Sequence, residues 1–278
     1  MKIFKNQKTL KQYISTLNNR TIGFVPTMGA LHNGHLSLVK KAKEETDIVI
    51  CSIFVNPTQF NESSDFDNYP ITHQKDISIL ENADCDVLYL PSNVEDVYLN
   101  EVDFSVDLGL LADVMEGEKR PGHFDGVMRV VKLLFEITTP NKAFFGLKDF
   151  QQYSVIRKMV KDLKMEIDIV GCEIIREQNG LAMSSRNALL SDNEKIDALV
   201  LSDVLKYLQK NCRVGDIRSF LVEGMNELFK VGTPEYLIVA EAETLKPVIT
   251  LVKDVKYRAF VVSKIGNVRL IDNVEIFI

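Results

Sequence analysis

The stretch Thr21 Ile22 Gly23 Phe24 Val25 Pro26 Thr27 Met28 Gly29 Ala30 Leu31 His32 Asn33 Gly34 His35 decides how this chain is read. Thr21 to Val25 has the texture of a buried strand, and Gly29 and Gly34 punctuate a turn in which backbone can approach a ligand closely. Leu36, Leu38, Val39 and Ala42 then recur at helical spacing. The segment therefore predicts strand, turn, helix, with His32 and His35 on one face of the first helical turn. Unbonded N–H groups and the positive end of the helix dipole lie there, which suits a phosphate. A lone histidine is more often a surface or core residue. Here two of the chain's four histidines share one glycine-containing turn. A metal reading stays open, although no HExxH pattern or adjacent third ligand accompanies them. Gly29 and Gly34 have the separation of a Walker A loop, but His35 and Leu36 stand where Lys and Ser/Thr belong.

Outward from this turn, Ile48 to Val55 is a near-continuous apolar run, as expected of a parallel strand covered on both faces. Asn56 Pro57 Thr58 Gln59 Phe60 ends it, and a polar loop leads on to Tyr69 Pro70. Ligands of open α/β sheets gather beyond the carboxyl ends of strands, so Gln59 is a candidate substrate donor; an ordinary strand-ending turn explains the same residues. A lead-in helix is expected over 8–19, a helix over 72–83, a strand at Asp86 to Leu90, and a further strand at Val102 to Val106. Glu116 to His123 is so rich in charge, Gly and Pro that it reads as a solvated loop or a mobile lid. Phe124 to Ile137 is helical in spacing through Val127, Val130, Val131, Leu134 and Phe135.

Lys142 to Gln152 repeats the pattern of a strand running through glycine into a helix, with Lys148 and Asp149 in its first turn. Lysine there can hold a phosphate, and aspartate can accept from a ribose hydroxyl or cap the helix. After a strand at Ile167 to Val170 the texture changes. Asn179 Gly180 makes a turn, and Ser184 Ser185 Arg186 offers two hydroxyls and a bidentate guanidinium for phosphate oxygens. Helices over 192–209 and 217–229 and strands at Tyr236 to Ala240, Tyr257 to Val262 and Val268 to Ile271 complete an α+β half. The fold class predicted is α/β: a Rossmann-like doubly wound parallel sheet over residues 1–174, with a smaller α+β C-terminal lid domain over 175–278.

The 278 residues, 46% of them hydrophobic and 26% charged, fit a soluble globular chain, and a net charge of −6 argues against nucleic-acid binding through a general basic field. The N-terminal residues lack a signal-peptide core, and no apolar run is long enough for a membrane span, so the expected location is cytoplasmic, with no membrane partner. Cys51, Cys85, Cys172 and Cys212 are widely spaced and form no CxxC pair. They read as reduced and structural.

A phosphate turn with two histidines, a Lys-Asp helix start and a Ser-Ser-Arg loop together resemble the HxGH nucleotidyltransferase superfamily. Pro26 to His35 (PTMGALHNGH), Ser52 to Phe60 (SIFVNPTQF), Phe144 to Gln152 (FFGLKDFQQ), Leu181 to Asn187 (LAMSSRN) and Leu270 Ile271 Asp272 Asn273 narrow the resemblance to the pantothenate synthetase family. The resemblance implies a ligase that adenylates pantoate with ATP, releases pyrophosphate, and passes the acyl group to β-alanine with release of AMP. It implies His35 as proton donor, with His32, Lys148 and Arg186 beside it. It places ATP against Met28, Gly29, His32, Gly34, His35, Gly146, Leu147, Lys148, Asp149, Ile175, Met183, Ser184, Ser185 and Arg186. Gly146 and Asp149 would meet the ribose, the backbone near Ile175 the adenine, and Gln59 and Gln152 pantoate. Mg²⁺ would accompany ATP, with no protein metal ligands assigned. A homodimer is also implied, with the apolar run around Phe54 as a candidate contributor. The chain departs from the family pattern at Leu147, where Glu is usual, and at Lys75 Asp76, where two acidic residues sometimes stand. Arg120 and His123 match a family motif without an assigned role. Two alternatives remain: a relative that adenylates another small acid, and a nucleotide-binding module without catalysis.

Overall fold

The computed structural model describes residues 1–60, 66–67, 69–99 and 101–278; the polar loop expected between Phe60 and Tyr69 lies largely outside them. The chain divides into two compact units. The first comprises Met1–Ala112, Glu116–Leu147 and Gln152–Glu173, and the second Asp113–Met115, Lys148–Gln151 and Ile174–Ile278.

The first unit is built on β1 (Lys2–Phe4), β2 (Ile22–Thr27), β3 (Ile48–Ile53), β4 (Val87–Tyr89), β5 (Lys142–Gly146) and β6 (Asp168–Cys172). Every pairing is parallel, in the order β1-β4-β3-β2-β5-β6. Parallel neighbours need crossovers, and helices Asn33–Glu45, His73–Asn82 and His123–Thr138 lie in these connections. All six residues of β3 are buried, which explains why its sequence is apolar without alternation. Phe24, Val25, Ile50, Leu88 and Phe144 are fully enclosed, and Phe135 meets both Phe24 and Phe145 edge-on. From β2 the sheet extends one way through β3 and β4 and the other through β5 and β6. The switch point therefore lies between β2 and β5, where ligands bind in such sheets.

The second unit is an antiparallel sheet in the order β12-β11-β8-β9, formed by Val268–Ile276, Tyr257–Ile265, Thr233–Glu241 and Pro247–Val248 respectively. Its core joins Val239 and Val261 to Leu201, Leu205, Leu208 and Leu228 of helices Leu199–Asn211 and Arg218–Phe229. A small ribbon pairs β7 (Gly215–Asp216) with β10 (Thr250–Leu251). The α/β class with an α+β C-terminal part is as the sequence predicts. Among the described residues no helix is long and apolar enough to cross a membrane.

Several local expectations are corrected. No strand forms at Val102 to Val106: Val102 is exposed, Phe104 lies under the Lys132 ammonium, and Glu101 pairs with Arg129, so the segment follows helix His123–Thr138. Glu116 to His123 is not a solvated loop, since Glu116–Lys119 is helical and Glu116 and His123 are buried. The lead-in helix stops at Ile14, before Asn18 and Asn19 adopt left-handed backbone. The helix expected over 192–209 is two helices, Asp192–Asp197 and Leu199–Asn211, meeting at Ala198. Ile53 and Phe54 are buried within the first unit, and Val55 is half-buried.

All four cysteines are buried free thiols. Burial pushes Cys85, Cys172 and Cys212 from the ordinary 9.0 up to about 11 and Cys51 well above its ordinary value. At pH 8 a thiol reagent is expected to leave the native thiols almost untouched and to titrate four after denaturation. A thiol with a raised folded pKa favours the folded state below the ordinary value, and that contribution is lost as pH rises through the folded one. Urea midpoints measured between pH 8 and pH 11 should therefore fall above about pH 9.

Candidate active site

The turn after β2 depends on backbone that ordinary residues avoid. Gly29 has φ +87° and Ala30 φ +49°, and a Cβ on Gly29 would stand 3.1 Å from Ile53 Cγ2 and 3.2 Å from Asp76 Oδ2. The carboxylate of Asp76, fully buried in the first turn of helix His73–Asn82, holds this shape. Its Oδ2 accepts the Ala30 N–H at 3.1 Å, its Oδ1 accepts the Leu31 N–H at 2.8 Å, and the Thr72 hydroxyl donates at 3.1 Å. Sequence reasoning set Asp76 aside. An acidic residue in a first helical turn is ordinary, and the partner amides lie far away in sequence.

His32 caps helix Asn33–Glu45. Its Nδ1 accepts the Gly34 N–H at 3.1 Å, while His35 Nδ1 accepts the His32 N–H at 3.3 Å. The ring centroids are 4.1 Å apart. A nitrogen that accepts carries no proton, so each neutral ring bears its proton on Nε2. The pair thus forms two Nε2–H donors at a helix N-terminus, fixed by the main chain. Among the described residues no group of three His, Cys, Asp or Glu side chains is arranged to hold a metal ion.

Gln59 comes from the turn Pro57–Gln59 that follows β3, and its Nε2 donates to the Met28 sulfur at 2.9 Å. Two sequence-predicted site residues from neighbouring strand ends are therefore in contact. Gln152 is half-buried in helix Phe150–Asp162. A Cβ on Gly146 would meet nothing within 4 Å, so the backbone is open on that side. Leu147 is spent on packing instead of charge: its Cδ2 lies 2.7 Å from where a Cβ on Gly171 would stand, and Tyr153 lines the same spot.

In the second unit, Lys148 and Asp149 share the turn Leu147–Asp149, with Lys148 Nζ 3.8 Å from Asp149 Oδ1. The Lys148 carbonyl accepts the Asn273 amide N–H at 2.8 Å, and Asn273 Oδ1 in turn accepts from Arg258 at 2.5 Å. Adjacent Asp272 takes a bidentate pair from Arg176 at 2.6 and 3.0 Å, and Arg176 also donates to the Gly180 carbonyl. The Leu270 to Asn273 motif thus anchors the lysine turn and the Asn179–Gly180 hairpin. Arg176 is the residue that sequence reasoning missed there. Met183 N–H donates to the Ile175 carbonyl at 3.0 Å, which sets these two predicted residues side by side. Ser184 Oγ accepts the Arg186 N–H at 3.2 Å and opens the turn Ser185–Leu189. Asn187 pins the loop from beneath through the Ala182 carbonyl and Glu177. Ser184, Ser185 and Arg186 are all half-buried.

Removing the Asp76 carboxylate strands two N–H groups, each worth about 1–3 kcal/mol when buried without a partner. Asp76→Ala is therefore expected to lower the melting temperature by several degrees and to weaken ATP binding. Differential scanning calorimetry and ATP titration calorimetry check the two effects.

A family model described as pantoate-beta-alanine ligase matches residues 2–275. The chain is 43% identical over 265 residues to the pantothenate synthetase of Cytophaga hutchinsonii, covering 94% of this chain and 93% of that one. With the Staphylococcus haemolyticus pantothenate synthetase it shares 40% over 277 residues, 98% of each. Its structure is similar to the crystal structure of pantothenate synthetase from Thermus thermophilus, at TM-score 0.91, 37% identity and full coverage of both. It also resembles pantoate-beta-alanine ligase from Francisella tularensis complexed with beta-gamma ATP and beta-alanine, at TM-score 0.82 and 37% identity over 99% and 97% of the two chains. With the family model spanning nearly every residue and relatives matched along their lengths, this chain belongs to the pantoate–β-alanine ligase family, whose members are named pantothenate synthetase.

Proposed function

We propose that the chain condenses pantoate with β-alanine in two ATP-dependent steps, and that the residues of the candidate active site carry them. A pantoate carboxylate oxygen attacks the α-phosphorus of ATP, the α–β bridging bond breaks, and pyrophosphate leaves. The amine of β-alanine then attacks the acyl carbon of pantoyl adenylate, loses a proton, and expels AMP. The observation that carries this reading is the pair of imidazoles whose Nδ1 atoms accept main-chain N–H groups, in the turn that begins at Met28, whose sulfur accepts the uncharged Gln59 amide. Phosphoryl transfer calls for such placed donors more than for covalent help.

In this reading His32 and His35 bind the phosphates with the main chain of Met28, Gly29 and Gly34, and His35 serves as proton donor through Nε2–H. Lys148, Ser184, Ser185 and Arg186 neutralise the departing pyrophosphate. Gly146 and Asp149 meet the ribose and the backbone near Ile175 the adenine, Leu147 and Met183 also contact the nucleotide, and Gln59 and Gln152 bind pantoate. Asp76 is a poor candidate for a metal ligand, since both its oxygens already accept from Ala30, Leu31 and Thr72. ATP is therefore taken to enter as its Mg²⁺ complex, with the ion held mainly by phosphate oxygens. A cytoplasmic homodimer, with residues 1–174 as the nucleotide and pantoate part and 175–278 as the part carrying the Ser-Ser-Arg loop, belongs to the same proposal.

Supplying ATP, Mg²⁺, pantoate and β-alanine should yield AMP, pyrophosphate and pantothenate in equal amounts. Turnover that persists equally without pantoate, or no AMP above background, removes the assignment. His35→Ala is expected to lower kcat by about 10² or more, the usual cost of one lost transition-state donor. Wild-type turnover in that variant removes His35 from the chemistry.

A further inference from the structure

Arg120 and His123 lie in a segment whose composition suggests solvated loop, yet both turn inward to one atom. His123 Nδ1 lies 2.8 Å from the main-chain oxygen of Gln59, and an Arg120 guanidinium N–H donates to the same oxygen at 3.3 Å. The second Arg120 nitrogen is 3.1 Å from His123 Nε2. Only one tautomer satisfies this set. The carbonyl is an acceptor, so His123 carries its proton on Nδ1, and Nε2 accepts from the arginine. Glu116, nearly buried, stands 3.9 Å behind Arg120.

The rest of the turn is gripped as tightly. Asn56, 1% exposed, donates from its amide to the Gly126 carbonyl at 3.2 Å and accepts the Tyr98 hydroxyl at 2.8 Å. Gly126 allows this approach, because a Cβ there would lie 2.3 Å from the Thr58 carbonyl oxygen. Helix His123–Thr138 is thereby pressed against Pro57–Gln59, and the Gln59 backbone is fixed by donors from outside its own segment. A short turn of this kind needs no such clamp merely to end a strand. Its one side chain assigned to substrate is Gln59.

We infer that His123 and Arg120 are positioning residues for pantoate, which clamp the Gln59 carbonyl and thereby hold the Gln59 amide where it reads the substrate. The inference rests on the reading that Gln59 binds pantoate. The two residues act through Gln59, so their effect is confined to the one ligand that Gln59 serves. A loose supporting shell misplaces a binding group without removing it, which raises KM for that ligand alone.

The test is steady-state kinetics of four variants, with melting temperatures recorded alongside. His123→Phe keeps the ring volume and removes the donor; it should raise the pantoate KM about tenfold, with KM for ATP and β-alanine within about twofold of wild type. His123→Asn places an amide N–H near the position of Nδ1 and should recover most of that loss. Arg120→Gln, at a less buried position, should raise the pantoate KM by a smaller factor and carries the test if His123→Phe does not fold. Gln59→Ala separates the two layers of the argument. A raised pantoate KM in Gln59→Ala with wild-type values in His123→Phe and Arg120→Gln overturns the positioning role alone. A wild-type pantoate KM in Gln59→Ala overturns the Gln59 reading and this inference with it. Equal rises in all three KM values, or no recovery in His123→Asn, also overturn it, since a purely structural role predicts those outcomes.

Discussion

β2 and β5 are hydrogen-bonded neighbours only through Gly23–Lys142 and Phe24–Ala143, although β2 runs on to Thr27 and β5 to Gly146. Strands on either side of a switch point send their connections in opposite directions, so nothing fills the space beyond their carboxyl ends. The segments that leave the two strands at that end are Met28 to His35 beyond β2 and Leu147 to Asp149 beyond β5, and both hold residues to which nucleotide contacts are proposed. The order of the strands thus points to a ligand position before any side chain is considered.

A turn that exposes amides to a phosphate must also dispose of the amides it does not expose. The Ala30 and Leu31 N–H groups point beneath the turn, and the Asp76 carboxylate accepts both. An apolar residue of similar size would leave two donors unsatisfied, while Asn would present one donor to another. The left-handed backbone of Gly29 and Ala30 is kept because the partners around it leave no alternative. The same logic governs the loop at Ser184, where Asn187, Glu177 and the Ala182 carbonyl tie down the base of a segment whose upper side must stay adaptable.

The sequence made plain whatever is carried by local pattern. The unalternating β3 run, the strand-glycine-helix units and the helical spacing over 124–137 all depend on neighbours in the chain. It concealed whatever depends on a distant partner. Asp76 and its amides are 45 and 46 residues apart, and Arg120 and His123 reach Gln59 from 61 and 64 residues away. Glu116 to His123 misled for the same reason, since charged residues are read as solvated unless their buried partners are known. Val102 to Val106 alternates like a strand, but alternation does not create a partner strand. Leu147 shows the converse: where the family usually has a carboxylate, this chain fills the gap over Gly171 beside Tyr153, a change legible only once Gly171 is seen opposite.

The distribution of charge follows from the reaction. Pantoate attacks as a carboxylate on a phosphate that is itself negative, so a cation at the attacking end would stabilise the separated anions at least as well as the transition state. In the proposed assignment that end meets the uncharged amides of Gln59, held against Met28, and Gln152, while the two imidazoles that meet the phosphates have Nδ1 atoms occupied by main-chain N–H groups. Protonating either ring to imidazolium would turn that acceptor into a donor facing an N–H. Charge builds up on the other side of the α-phosphorus, on the departing pyrophosphate, and the cations that the proposal assigns to it are Lys148 and Arg186. In that proposal, neutral donors at the attacking end and cations at the leaving group would make the electrostatic contribution grow as the bond breaks, which lowers a barrier instead of merely tightening binding.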